Sequence, residues 1–165
     1  MTVLYWDASA LVKRYAAEAG TPVVNAAFSS VAGDRMLCSS VATGEIISAL
    51  VRKRNAGGIS AEVFEQAMSN FRAEVLDAPD FQILASTDAL ILASHPLIVR
   101  HSLNATDAIV LRSVLDVAAV LRPRGDRVAL LTADDRLLRA AREESIPTIN
   151  PETDSVDRLM VVIGG

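Results

Sequence analysis

Val128-Ala129-Leu130-Leu131, running straight into Thr132-Ala133-Asp134, decides the fold class. Four consecutive apolar residues with no polar alternation describe a short strand covered on both faces. A helical stretch, Asp134–Glu144, follows at once. The same order recurs upstream. Thr2–Asp7 reads as a buried strand that enters a helix over Ala8–Ala17, and Met36–Ser39 as a strand before a helix over Val41–Arg54. Gly57-Gly58 closes that helix. Phe81–Ala85 and Ile146–Ile149 read as two further strands. Strands alternating with helices predict an α/β fold: a three-layer α/β/α sandwich around a central, mainly parallel sheet of four to five strands.

The intervening segments read as helices. After a break at Gly20, Thr21 is a suitable N-cap, with Pro22 at the first helical position and a helix over Val23–Val31. From Ser60 to Leu76, apolar residues at 63, 64, 67, 68, 71, 75 and 76 keep a 3.6-residue period. Residues 87–102 read as a helix that Pro96 breaks or restarts. Asp107–Leu121 is another helix, with Thr106 as a possible N-cap. The tail after residue 150 has no assigned role.

At 165 residues the chain is expected to be one domain, 1–165. Its apolar fraction is 51 % and its mean hydropathy +0.32, so part of the apolar surface is expected in a subunit or partner interface. No apolar run is long enough for a membrane span, and the N-terminus has no basic-then-apolar leader. One cysteine, Cys38, permits no intrachain disulfide and fits a reducing cytoplasm. In the run Met36-Leu37-Cys38 it reads as a small buried hydrophobe. Trp6 and Tyr15 read as core residues. The net charge of −4 argues against a nucleic-acid ligand, but a local basic rim can coexist with it. Arg52-Lys53-Arg54 and the group Arg122, Arg124 and Arg127 around Gly125 are the two basic clusters. Each either caps a helix C-terminus or contacts phosphate.

Four acids stand out because nothing nearby pairs with them. Three and four residues beyond Glu45 lie Ser48 and Ala49; beyond Asp107, Val110 and Leu111; beyond Asp134, Leu137 and Leu138. Asp7 sits between Tyr5-Trp6 and Ala8-Ser9-Ala10-Leu11. Helix capping alone accounts for Asp7, and the helix dipole for Asp107, if each is taken singly. Asp135 differs: it has Arg139 four residues on and lies three after Thr132, a capping-box spacing, so it reads as structural. Two carboxylates about 4 Å apart repel by roughly 4 kcal/mol at an effective dielectric near 20. Four together would take up protons or recruit a cation. Parallel sheets bind ligands beyond the carboxyl ends of their strands, which is where Asp7 and Asp134 fall. Glu45 and Asp107 lie in early helical turns that can start on that side.

Tyr5-Trp6-Asp7-Ala8-Ser9-Ala10-Leu11-Val12-Lys13, Thr43-Gly44-Glu45-Ile46-Ile47-Ser48-Ala49-Leu50, Asn104-Ala105-Thr106-Asp107-Ala108-Ile109 and Leu131-Thr132-Ala133-Asp134 resemble, in order and spacing, the motifs of PIN-domain nucleases. The nearest likeness is to VapC-type toxins of bacterial toxin–antitoxin pairs, from residue 3 to about 150. The fit is poorest between Ser86 and Leu103, around Pro96. The resemblance implies cleavage of single-stranded or loop RNA, a VapB-like antitoxin and a homodimer.

The residues themselves support metal-dependent phosphoryl chemistry. Their donors are all oxygens, which suit Mg²⁺ or Mn²⁺. Zinc is disfavoured, because Cys38, His95 and His101 lack zinc-ligand spacing. Both histidines read as helix-end or surface residues, His101 with a minor claim to substrate contact. Asp7 and Asp107 are the expected direct ligands and Asp134 completes the set. Glu45 holds a second ion or orients the attacking water. Ser9, Thr132 and Thr106 are candidates to hydrogen-bond these carboxylates, against ordinary roles as turn residue and N-caps. An aspartyl-phosphate phosphatase or receiver is the less favoured enzyme. The phosphatase needs an acid where Ser9 stands, and both need a late lysine, whereas the only lysines are Lys13 and Lys53. A catalytically silent PIN-like binding module is the other alternative.

Overall fold

A computed structural model describes residues 1–164; Gly165, the end of the tail, lies outside the described residues. Five strands form one sheet: β1 (Thr2–Trp6), β2 (Met36–Ser39), β3 (Gln82–Leu84), β4 (Arg127–Leu131) and β5 (Thr148–Ile149). Their order is β3-β2-β1-β4-β5, and every pairing is parallel. Each crossover is helical, through α1 (Ala8–Leu11), α2 (Thr21–Ser30), α3 (Ser40–Asn55), α4 (Ala61–Phe71), α5 (Asp88–His101), α6 (Ala105–Leu121) and α7 (Asp135–Glu143). The tail, unassigned from sequence, folds into α8 (Val156–Gly164), and the Thr2 hydroxyl donates to the Val162 carbonyl at 3.2 Å.

Period-two alternation along the strands splits the core into two. Leu4, Trp6, Cys38, Ala129 and Leu131 face one layer, packed by α1–α4 and α8. Val3, Tyr5, Leu37, Val128 and Leu130 face the other, packed by α5–α7. The three-layer α/β/α sandwich is therefore as expected, with five strands. Trp6, Tyr15 and Cys38 are core residues, and burial pushes the Cys38 thiol up to about 12, which leaves it unreactive.

Several local expectations change. The first helix stops at Leu11 and tightens into a 3₁₀ turn through Arg14. This carries Lys13 into the interior, where its ammonium meets Glu18 at 3.1 Å and Glu152 at 2.5 Å. Thr21 is the first residue of α2 rather than its N-cap. Its hydroxyl donates to the Lys13 carbonyl at 2.9 Å and accepts the Glu18 N–H at 3.0 Å. The cap position belongs to Gly20, at φ +91°, where a Cβ would lie 2.8 Å from the Pro151 carbonyl carbon. Only glycine satisfies both constraints.

Pro96 does not break its helix, since α5 runs from Asp88 to His101 around it. The ring removes the N–H that would bond the Leu92 carbonyl, but Pro96 and Leu92, the latter 65 % exposed, lie on the solvent side of α5. Beyond Phe71, the helix begun at Ala61 widens into a five-residue π turn ending at Leu76. Leu92 and Val99 on α5 and Val120 on α6 are exposed apolar side chains. No helix among the described residues is long and apolar enough to cross a membrane.

Candidate functional site

The strand order reverses between β1 and β4, and the crevice beyond their carboxyl ends is where such sheets bind ligands. Asp7 is the first residue past β1, and its N–H donates to the Leu131 carbonyl at 3.0 Å. Its side chain caps α1. Oδ2 accepts the Ser9 N–H at 3.2 Å, the Ser9 hydroxyl at 2.5 Å and the Thr132 hydroxyl at 2.8 Å. Each hydroxyl has one proton, and both are given to Asp7; the 3.1 Å approach of Ser9 Oγ to Thr132 Oγ1 is then a contact between acceptors. Their lone pairs accept the Ala133 and Asp134 N–H groups at 2.9 and 3.1 Å. The carboxylate thus ties the ends of β1 and β4 together. Burial raises its pKa, while Ser9 and Thr132 pull the other way.

Three more acids arrive from three helices. Ser39 caps α3 and places Glu45 half-buried in its second turn. Burial raises the Glu45 pKa, the charge of Asp7 adds to it, and the neighbouring Thr106 hydroxyl opposes. Asn104 caps α6, with its Oδ1 accepting the Asp107 N–H at 2.8 Å. Thr106 is therefore not the cap expected from sequence; it lies inside the first turn, beside Glu45. Asp107 is pushed up to about 7, chiefly by burial and then by the charges of Asp134, Asp7 and Glu45. The four acids thus share one field, as the sequence predicts.

Asp134 has a second task that sequence reasoning missed. It caps α7, its Oδ1 accepting the Arg136 N–H at 2.8 Å and the Leu137 N–H at 2.9 Å. Of the two roles open to Thr132 in the sequence, N-cap or hydrogen-bond donor to a carboxylate, it takes the second, on Asp7. Asp135 is exposed, but it is not paired with Arg139. The Arg139 guanidinium donates to the His101 carbonyl at 3.1 Å and lies 3.9 Å from Glu143. His101 is no surface residue either: it is buried, with its ring nitrogens 2.9 Å from Glu143 and 2.8 Å from Glu144.

The basic candidates separate just as clearly. Lys53 is bonded to Glu18, and the Arg54 guanidinium lies 4.3 Å from the centre of the Phe64 ring. Arg52 is exposed and faces Glu45, whose charge it partly offsets. Arg122, Arg124 and Arg127 precede or begin β4, at the opposite end of the sheet from the acids. Phosphate contact at this site is therefore not their role, and Arg127 donates to the Thr2 hydroxyl at 3.1 Å. A further cation, Arg136, escaped the sequence reading. It is exposed in the first turn of α7 and opposes the charges that press on Asp107. Only its position two residues after Asp134 could have pointed to it.

The donor set suits a hard divalent cation. It is all oxygen; Asp7 Oδ1 and Asp134 Oδ2 take no part in the bonds that anchor their partner oxygens; and Asp107 resists ionising without added positive charge. The set is not a ready-made cage. Among the described residues, no three His, Cys, Asp or Glu side chains converge closely enough to hold a metal as they stand.

Comparison with solved structures bears on the fold. The chain is similar to FitAcB from Neisseria gonorrhoeae, with a TM-score of 0.64 and 13 % identity over 92 % of this chain and 100 % of that one. It is also similar to PAE2754 from Pyrobaculum aerophilum, with a TM-score of 0.56 and 17 % identity over 99 % of this chain and 96 % of that one. The fold is PIN-like. No protein-family model matches the chain, and no curated protein matches it in sequence. At such identities the likeness concerns the PIN-like fold alone.

Proposed function

We propose that this chain is a metal-dependent endoribonuclease, the toxin of a toxin–antitoxin pair, and that Asp7, Glu45, Asp107 and Asp134 are its catalytic acids. One observation carries the reading: four carboxylates share one field at the β1/β4 switch point, where burial first and then the charges of Asp134, Asp7 and Glu45 push Asp107 up to about 7. Asp7 is the fixed member, anchored through Oδ2. Asp107, half-buried and without such an anchor, and Glu45, half-buried and held only by the neighbouring Thr106 hydroxyl, are the members that rotate toward it. Asp134 contributes the oxygen that its cap leaves free. Mg²⁺ or Mn²⁺ held by Asp7, Asp107 and Asp134, with Glu45 assisting, would supply a water of lowered pKa for attack on a phosphodiester. Arg52 and Arg136 flank the acids as unpaired cations suited to neighbouring phosphates.

The ordered motifs shared with VapC-type toxins, together with the PIN-like fold, favour RNA as substrate and a VapB-like antitoxin as partner. Exposed Leu92, Val99 and Val120 are consistent with a homodimer, and the lone buried Cys38 with the cytoplasm. A silent PIN-like binding module is the second reading, favoured by the lack of a ready-made cage. One comparison separates them. Cleavage of a single-stranded RNA by the pure protein in Mg²⁺ or Mn²⁺, abolished by EDTA and by Asp7→Asn, is the expected result. Equal cleavage in EDTA would refute metal dependence. RNA binding without cleavage, and no growth arrest on expression, would identify the binding module.

A further inference from the structure

His101 ends α5 and is 4 % exposed. Its two ring nitrogens lie 2.9 Å from Glu143 Oε2 and 2.8 Å from Glu144 Oε1, on successive residues at the end of α7. Only the doubly protonated ring can donate to both; a neutral ring would leave a lone pair against a carboxylate. Arg139, also on α7, donates to the His101 carbonyl at 3.1 Å, so main chain and side chain are both held by α7. Arg100 binds Glu144 from the α5 side at 3.0 Å.

The connection onward is short and constrained. Ser102 takes the left-handed conformation at φ 54°, and Leu103 is buried. Asn104 then caps α6 through the Asp107 N–H. No flexible linker separates the clamp from the acid. The far end of the same α7 begins at Asp134.

We propose that His101 is a positioning residue for Asp107: the His101–Glu143–Glu144 clamp locks the α5–α6 turn onto α7 and so fixes the start of α6 relative to Asp134. The proposal rests on the catalytic reading of Asp107 and adds a residue that touches neither substrate nor metal. A displacement of about 1 Å in a reacting group can lower a rate by about 100-fold, so a clamp remote from the chemistry can govern it.

The test uses the full chain as His101→Gln and, because that variant removes a buried group, also as Glu144→Gln at the partly exposed partner. Two quantities are read: kcat and KM for a mixed-sequence single-stranded RNA in Mn²⁺, and amide exchange by NMR in metal-free protein. Both variants are expected to lower kcat about 10–100-fold with KM within about twofold. The Asp107 and Ala108 amides should exchange faster while those of α2 keep their protection. If the wild type cleaves no RNA, the catalytic reading fails, and exchange at Asp107 alone decides the clamp. Unchanged exchange at Asp107 in folded Glu144→Gln would overturn the proposal. So would a loss of protection spread evenly over α2 and α6 in both variants, since that marks general destabilisation.

Discussion

Replacing Asp107 by Asn should stabilise the metal-free protein, by an amount that grows with pH. In the folded chain this carboxyl is pushed from its ordinary 3.8 to about 7, by burial first and then by Asp134, Asp7 and Glu45. In the unfolded chain those neighbours are gone. Between the two values the folded state binds the proton more tightly, so the stabilisation that protonation provides is complete below about pH 4. It is lost as pH rises towards 7. In a dry site the rise would correspond to about 4 kcal/mol. Asp107 is only half-buried, and solvent screening reduces this to about 1–2 kcal/mol. The ionised acid recovers about 0.3–1 kcal/mol from the N-terminal dipole of α6, which Asn forgoes. The net gain for the variant at pH 8 is about 1 kcal/mol, or about 2–4 °C in Tm for a chain of this size. Thermal unfolding followed by circular dichroism in EDTA reads it directly. The two proteins should melt together below about pH 4 and part by that amount at pH 8. Excess Mn²⁺ should reverse the order, because only the wild type keeps the full set of ligands. A gap that is the same at both pH values, or a variant that melts lower at pH 8, would refute the shared field of the four acids.

Other substitutions test other parts of the site. Asp134→Ala should lose about 1–2 kcal/mol in thermal unfolding as well as cleavage, because the Arg136 and Leu137 N–H groups lose their acceptor. Asp134→Asn should retain most of that stability and still lose cleavage, while Asp135→Asn stays near wild type in both assays. Arg136→Gln, placed in an Asp7→Asn background in EDTA, should weaken RNA binding evenly across sequences. Its slope of log affinity against log salt, read by fluorescence anisotropy, should be shallower by about one. Pro96→Ala should raise the urea midpoint, by about 1–3 kcal/mol in stability, since an exposed helical position regains an N–H donor.

The sheet and the four acids were legible because their signals are local. Continuous apolar runs mark buried parallel strands, and an acid without a partner at three or four residues marks a charge that must be balanced elsewhere. What the sequence hid is long-range. Thr132 is open to two roles in the sequence, helix cap or support for a carboxylate, and only the placing of β1 beside β4 decides for Asp7. Asp134 then takes over the cap. Asp135 and Arg139 have good spacing for a pair, but α5 ends near Arg139 and offers it a carbonyl. His101 reads as a helix-end or surface residue, and its burial was hidden because the carboxylates that receive it, Glu143 and Glu144, are identified only by tertiary packing, as are Glu18 and Glu152 around Lys13. Pro96 misled in the opposite direction: a general rule about helix interiors gave way on the solvent side of α5.

The place of β1 between β2 and β4 also governs when the site can form. Asp7 leaves the ribosome first among the acids, yet Thr132, which holds it, lies 125 residues later in the chain. At ordinary elongation rates of about 5–20 residues per second, that is an interval of about 6–25 s. Until β4 has been made, β1 has no neighbour on that side and Asp7 has neither Thr132 nor Asp134 beside it. The site can thus close only as synthesis nears its end. If the chain is the toxin proposed above, an inhibitory partner has that interval in which to be waiting.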